Sequence, residues 1–245
     1  MDVTPWSEAV TPCSPLARRN PTVKLAVLTV ISTSTLFLDH PAPAAVMWLW
    51  LLLGVSWAGR LRPMVLLVAQ LGFGGFAAGT LLANLVTRPD DPHALTLSVA
   101  LALRTMVIGT ASVGFLATTD ALALVSSLHQ TAGLTARLTY SLLAGYRMLE
   151  ELPREWSLLA AAHAVRDPQP KRPGIGAIGR RSFALLVISI RKGERLAHSL
   201  ELRGADRQPR TIWRVIPVQL SDGVFCATTV TATLLTVTLV PTVWP

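Results

Sequence analysis

The sequence predicts an all-α integral membrane protein, with about five transmembrane helices and a charged helical region between the fourth and the fifth. Three observations carry this. The chain of 245 residues is 51% hydrophobic and only 15% charged, where a soluble domain averages about 25% charged. Its mean hydropathy is +0.48. Most of its lysines and arginines fall in one block, residues 118–214. The net charge of +8 therefore reads as a loop excess that reports topology. That block holds Tyr140, Tyr146 and Phe183 but no run that alternates aromatics with its cations for base stacking, and it has no zinc-finger spacing, so no nucleic-acid partner is expected.

Residues 1–20 form a polar leader. Pro5, Pro12 and Pro15, with Asp2 and Glu8, stand where a signal peptide would have a basic start and an apolar run, so the first apolar helix is expected to be retained. Arg18, Arg19 and Lys24 crowd the start of that helix, which places the N-terminus in the cytoplasm by the positive-inside rule. Residues 21–117 then carry four spans. The first, about Val23 to Leu38, is short and rich in Thr and Ser, whose hydroxyls can bond to the preceding turn's carbonyls. Asp39-His40-Pro41 ends it. A second span, about Ala44 to Ala58, holds Trp48, Trp50 and Trp57 at interfacial depths. Arg60 and Arg62 return the chain to the cytoplasm. The third, about Met64 to Val86, has the roughly twenty residues a bilayer core demands. Its Gly75 and Gly79 are spaced as small-xxx-small, which permits close helix approach, and packing within this chain is expected. The loop Arg88 to His93 is external. The fourth span, about Leu95 to Ala117, contains Arg104. A charge there costs about 2.5–3.5 kcal/mol on insertion scales and calls for a partner. Its role is open between a structural pairing, with a carboxylate or with carbonyls, and a functional intramembrane charge.

Thr118-Thr119-Asp120 ends that span and can cap a short helix, Leu122 to Gln130, which Gly133 breaks. Leu134 to Leu152 reads as a moderately apolar helix able to lie at a membrane surface. Pro153 marks a junction, and helix continues from Arg154 to Arg166. Prolines near 168–174 make a linker. Gly174 to Gly179 matches GxGxxG, but no strand precedes it, and it reads as a flexible joint. A long helix runs from about Arg180 to Arg203, closed by Gly204 as its C-terminal cap. Residues 215–245 carry the last span, about Gly223 to Val240, and leave the C-terminus outside. Cysteine labels at Asp90 and at Gln169 are then expected to react from opposite faces of the membrane. Reaction from one face would refute the topology.

Several chemistries find no support. No glycine-rich loop ends in Lys-Ser or Lys-Thr, so the chain lacks a P-loop for ATP hydrolysis. Gly54-Val55-Ser56-Trp57-Ala58 contains an intramembrane serine, but the five histidines fall in loops or in the charged block, so it has no base within a span. A hydroxyl bonded to its own helix is expected. No His, Asp or Glu cluster has metal-ligand spacing, and Cys13 and Cys226 have no CxxC partner. No catalytic residue, no metal site and no directly bound cofactor is expected.

The sharper signal is a pair of helices, rich in Ala and Leu, that each stop on an arginine with glutamate nearby. One carries Glu150-Glu151 and ends Ala164-Val165-Arg166-Asp167; the other ends Leu200-Glu201-Leu202-Arg203-Gly204. Arginine keeps its charge, and its planar fork binds carboxylates bidentately. Such ends can project charge into a soluble partner.

Together with Arg104, Thr118-Thr119-Asp120, Arg147-Met148-Leu149-Glu150-Glu151-Leu152 and the opening Asn20-Pro21-Thr22-Val23-Lys24-Leu25, these runs resemble the transmembrane T component of energy-coupling factor (ECF) transporters, EcfT with its CbiQ branch. The resemblance covers about Asn20 to Val240. Asp167 departs from it, where that family has Gly or Ser. The resemblance implies a non-catalytic scaffold in the bacterial cell membrane, with residues 118–214 as its cytoplasmic coupling-helix region. It implies two ATP-binding-cassette (ABC) ATPase subunits, which use the ATP, and a small substrate-binding S component that captures a vitamin or metal ion. Val165, Arg166, Asp167, Leu202, Arg203 and Gly204 would engage the ATPases, supported by Glu150, Glu151 and Glu201. Two other readings stand beside it: an intramembrane enzyme using Ser56 or Arg104, and an ABC permease with its own substrate path.

Overall fold

The computed structural model describes residues 14–38, 40–87, 92–166, 174–204 and 215–243. Among these the chain is helical, with no strand: α1 (Pro21–Ser34) and a 3-10 turn (Thr35–Phe37), α2 (Pro41–Gly59), α3 (Pro63–Thr87), α4 (Ala94–Thr118), α5 (Ala121–Thr131), α6 (Ala136–Arg166), α7 (Ile175–Leu202) and α8 (Leu220–Val243). The leader up to Cys13, Asp39, the acidic loop at 88–91, the proline-rich linker at 167–173 and residues 205–214 lie outside the described residues.

Local chemistry explains where the helices start and stop. Asn20 caps α1, its Oδ1 accepting from the Thr22 amide at 3.0 Å, and Pro21 takes the first helical position. Asp120 caps α5, as the sequence predicts, by accepting from the Ala123 amide at 3.2 Å. Gly133 follows α5 with φ of +72°, a left-handed turn that glycine adopts without strain. At α8 the Asp222 carboxylate accepts from the Gln219 amide at 3.0 Å while the Asp222 amide donates back to the Gln219 carbonyl at 2.9 Å. This is a reciprocal cap of the helix start.

Two helices differ from expectation. α6 runs unbroken through Pro153, so the junction expected there is part of one long helix. α7 begins at Ile175 rather than near Arg180, and Gly176 and Gly179 are helical, not a flexible joint. The Ala177 and Ile178 amides both donate to the Gly174 carbonyl and nucleate the helix. Glycine's cost of about 1 kcal/mol per residue is outweighed once that first turn is closed.

The chain divides into two compact units: residues up to Ser127 together with Ile216 onward, and Leu128 to Val215. In the first, α4 packs against α1, α2 and α3, and α8 packs against α1 and α2. Among the described residues four helices are long and apolar enough to cross a membrane: α2, α3, α4 and α8 through Thr238. The first apolar helix, Pro21–Phe37, is shorter. At about 1.5 Å per α-helical residue it falls short of a hydrocarbon core of about 30 Å.

The core of this unit joins Val27 and Ile31 of α1 to Met47 and Leu51 of α2 and to Val107 and Ala111 of α4. Close approach depends on α4. A Cβ on Gly109 would meet the Phe73 ring at 2.5 Å, and one on Gly114 would meet Val55 at 2.7 Å. The glycines of α3 behave otherwise. Gly72, Gly74, Gly75 and Gly79 face open space, so the expectation that Gly75 and Gly79 pack within the chain is corrected. Ala77 is the single buried residue of α3. Polar side chains still cross-link the bundle: Trp48 donates to Gln70, and Gln70 donates to the Thr110 hydroxyl at 2.8 Å.

In the second unit α6 packs on α7. The contact includes Lys192 of α7, which donates to Glu151 at 3.1 Å and to Glu155, both on α6.

Candidate functional site

The site indicated by the sequence lies at the ends of α6 and α7. α6 reaches Arg166, the last residue of the helix. The Arg166 side chain and Asp167 lie outside the described residues. Val165, just before, is 84% exposed. α7 closes in a more defined way. The Arg203 amide donates to the Ser199 carbonyl at 3.2 Å and the Gly204 amide to the Glu201 carbonyl at 2.9 Å. Gly204 takes φ of +69°, the left-handed cap expected of it. This turn leaves the Arg203 side chain exposed beside Leu202, which is 91% exposed. An apolar side chain that open, next to an arginine, presents both dispersion surface and a bidentate donor.

The supporting glutamates separate into different roles. Glu150 is exposed on α6. Glu201 is exposed and sits 3.8 Å from His198 Nδ1, an ion pair only when that histidine is protonated. Glu151 belongs to the tie between α6 and α7. Glu155 and Lys192 complete that tie and were not singled out from the sequence, although one signal was present. Glu151 and Glu155 are i,i+4 neighbours of like charge, an arrangement that destabilises a helix unless a cation lies between them. The hydrogen bonds to Glu155 and then to Glu151 raise the Lys192 pKa above its ordinary value of 10.5. A group whose folded pKa is raised contributes stability below its unfolded pKa and loses it as pH climbs through the folded value. The α6–α7 contact is therefore expected to hold through neutral pH and to loosen above about pH 10.5. Lys192→Met should produce that loosening at pH 7. The distance distribution between spin labels on α6 and α7 would read both effects, and an unchanged distribution in the variant would remove Lys192 from this role.

Arg104 has carbonyl partners at the end of the first helix. Its Nε donates to the Leu38 carbonyl at 2.9 Å, and its Nη2 donates to that oxygen and, at 3.4 Å, to the Leu36 carbonyl. These carbonyls close the 3-10 turn after α1, where a helix end otherwise leaves acceptors unsatisfied. Inside a membrane no water could serve them. Ser56 donates to the Leu53 carbonyl of its own helix at 2.9 Å, as expected.

A second cluster, which sequence reasoning missed, gathers at the start of α1. Asn20, Lys24, Ser127 and Asp222 are all buried there. Lys24 donates to the Thr118 carbonyl at 2.7 Å, closing the end of α4. Ser127 donates to Asn20 Oδ1 at 2.6 Å, and Thr22 Oγ1 lies 2.7 Å from the Ser127 hydroxyl. Asp222 lies 3.7 Å from Arg19 Nη1, and its charge acts on Lys24. Arg19, Asn20, Thr22 and Lys24 are thus a set of partners that fastens the start of α1 to the end of α4, to α5 and to the start of α8.

Apolar surface is plentiful outside these clusters. α3 and α4 border a groove of about 980 Å³ that includes Val68, Phe73, Phe76 and Ile108. On α7, Phe183, Leu186 and Ile190 are exposed at helical spacing. Among the described residues no group of three His, Cys, Asp or Glu side chains could hold a metal ion.

Comparison with protein families matches residues 13–212 to the cobalt transport protein family CbiQ. The chain belongs to that family. As a CbiQ-family member it is a membrane component of a transporter, one that works with other subunits, and the long apolar helices agree with a multi-pass membrane protein. No curated protein matches the chain. The CbiQ match takes in Asn20, Lys24 and Ser127, Arg104 and both arginine-ended helices, but not Asp222 or the rest of α8.

Proposed function

We propose that this chain is the transmembrane scaffold and coupling subunit of an ECF-type ABC importer. It lies in the bacterial cell membrane with its N-terminus and residues 118–214 in the cytoplasm. Two ABC ATPases engage Val165, Arg166 and Asp167 at the end of α6 and Leu202, Arg203 and Gly204 at the end of α7. A small S component captures the cargo, a vitamin or a metal ion; the family's name favours cobalt. Closure of the ATPases on ATP moves the coupling helices and delivers the cargo inside. The chain itself catalyses nothing and binds no cofactor.

One observation carries the reading: α7 ends in a closed cap that leaves an exposed leucine beside an exposed arginine, while α6 ends on Val165-Arg166 in the same order. The open glycine face of α3 and the apolar stripe of α7 support a neighbouring membrane subunit. To test it, the tagged chain is purified alone and after co-expression with candidate ABC ATPases and a small hydrophobic partner. The expected result is no ATP hydrolysis and no cargo binding by the chain alone, and ATP-dependent uptake by the assembled complex in vesicles. Tight stoichiometric binding of a vitamin or metal ion by the chain alone would refute the reading in favour of a permease with its own substrate path.

A further inference from the structure

The chain leaves the unit of α1–α4 and α8 after Ser127 and re-enters it at Ile216. Both crossing points touch one side chain. Asn20 Oδ1 accepts from the Ser127 hydroxyl at 2.6 Å, and Asn20 Nδ2 donates to the Ile216 carbonyl at 3.4 Å. The same Oδ1 caps α1 by accepting from the Thr22 amide, which fixes which end of the amide is oxygen. Asn20 is 2% exposed and Ser127 is fully buried. These bonds bridge residues 107 and 196 positions apart in sequence. An ordinary N-terminal cap needs only the bond to Thr22.

We infer that Asn20 is a positioning residue that clamps the outgoing and the returning connection to the start of α1, so that any displacement of residues 128–215 reaches the membrane helices through this clamp. The transmission part rests on the coupling function proposed above. The clamp itself does not. Ser127 and Ile216 stand at the two crossing points and each is bonded to Asn20, so neither can shift without stretching a bond to that one side chain. Buried polar networks whose members are all paired are stiff, and stiffness is what a mechanical joint requires.

The two bonds can be cut separately. Asn20→Asp keeps an acceptor for Ser127 and Thr22 but loses the donor to Ile216. Ser127→Ala loses the other tie and leaves Asn20 in place. Hydrogen exchange of the purified full-length chain in lipid nanodiscs reads the clamp without partners. Asn20→Asp is expected to speed exchange at residues 216–222 and leave 121–131 as in the parent, and Ser127→Ala to do the reverse. Unchanged exchange in both variants, or equal loosening across the chain, would reduce Asn20 to an ordinary cap and overturn the inference. In the assembled transporter each variant is expected to keep ATP hydrolysis and lose about tenfold in cargo moved per ATP, within the usual range of coupling between sites. Selective exchange with undiminished transport per ATP would overturn the transmission role. A parent complex that shows no ATP-dependent uptake would instead count against the proposed function, with the exchange pattern still deciding the clamp.

Discussion

Arg166→Ala with Arg203→Ala is expected to abolish co-purification of the ATPases and ATP-driven uptake while the protein still inserts in the membrane. If each guanidinium is desolvated against carboxylates of an ATPase, its removal leaves those carboxylates buried and unpaired, at a cost of about 3–5 kcal/mol per site. A pair left in water would cost about 0–1 kcal/mol, so the measurement separates docking from decoration. The two sites are expected to be unequal. Arg203 follows an exposed Leu202 and precedes Gly204, whose φ of +69° turns the chain away. In the sequence Asp167 follows Arg166 directly and is expected to compete for that guanidinium. Arg203→Ala should therefore do more damage than Arg166→Ala. Gly204→Val provides a control with the charge intact: a β-branched residue is strained at positive φ, so assembly should weaken although Arg203 is present. Parent-like assembly and uptake by the double variant would make both arginines ordinary helix-terminal charges.

The parts of this protein that the sequence displays are those set by neighbours along the chain. Asp120, Gly133 and Gly204 act within a few residues, and each is found in the role its residue type predicts. The long apolar helices are legible for the same reason, since hydropathy is summed locally. The motif from Asn20 to Leu25 could be noticed but not explained, because its partners Thr118, Ser127 and Ile216 lie 94 to 196 residues away. Arg104 needed the same kind of information: its carbonyl partners Leu36 and Leu38 lie in and just after the 3-10 turn that follows α1, 68 and 66 residues away. Gly75 and Gly79 show the opposite failure. Their spacing is a real signal for close approach, but spacing does not say whose helix approaches, and in this chain the tight contacts belong to Gly109 and Gly114. At α7, counting glycines predicted a joint, whereas the hydrogen bonds onto Gly174 extend the helix back to Ile175.

Asp222→Asn is expected to destabilise the membrane unit. Asp222 is 2% exposed and Lys24 is 4% exposed. Asparagine has nearly the same shape and keeps an oxygen to accept from the Gln219 amide, so the cap of α8 survives and only the charge is removed. Arg19 can turn toward water, since its side chain is 26% exposed. Lys24 cannot; its ammonium stays fixed on the Thr118 carbonyl at 2.7 Å. Taking away the carboxylate whose charge reaches it leaves the buried cation uncompensated; because the two groups do not touch, the loss is set by their coupling, about 0.5–3 kcal/mol. The negative charge also lies in the first turn of α8, where it favours the helix dipole by a further 0.3–1 kcal/mol or so. Thermal unfolding in detergent micelles checks this, and Lys24→Met decides the cause. If the uncompensated cation carries the cost, Lys24→Met in the Asp222→Asn background should be milder than the sum of the two single substitutions, by a coupling of about 0.5–3 kcal/mol. Strict additivity would mean that Asp222 acts through α8 alone, and that the charges at the start of α1 stand independently of one another.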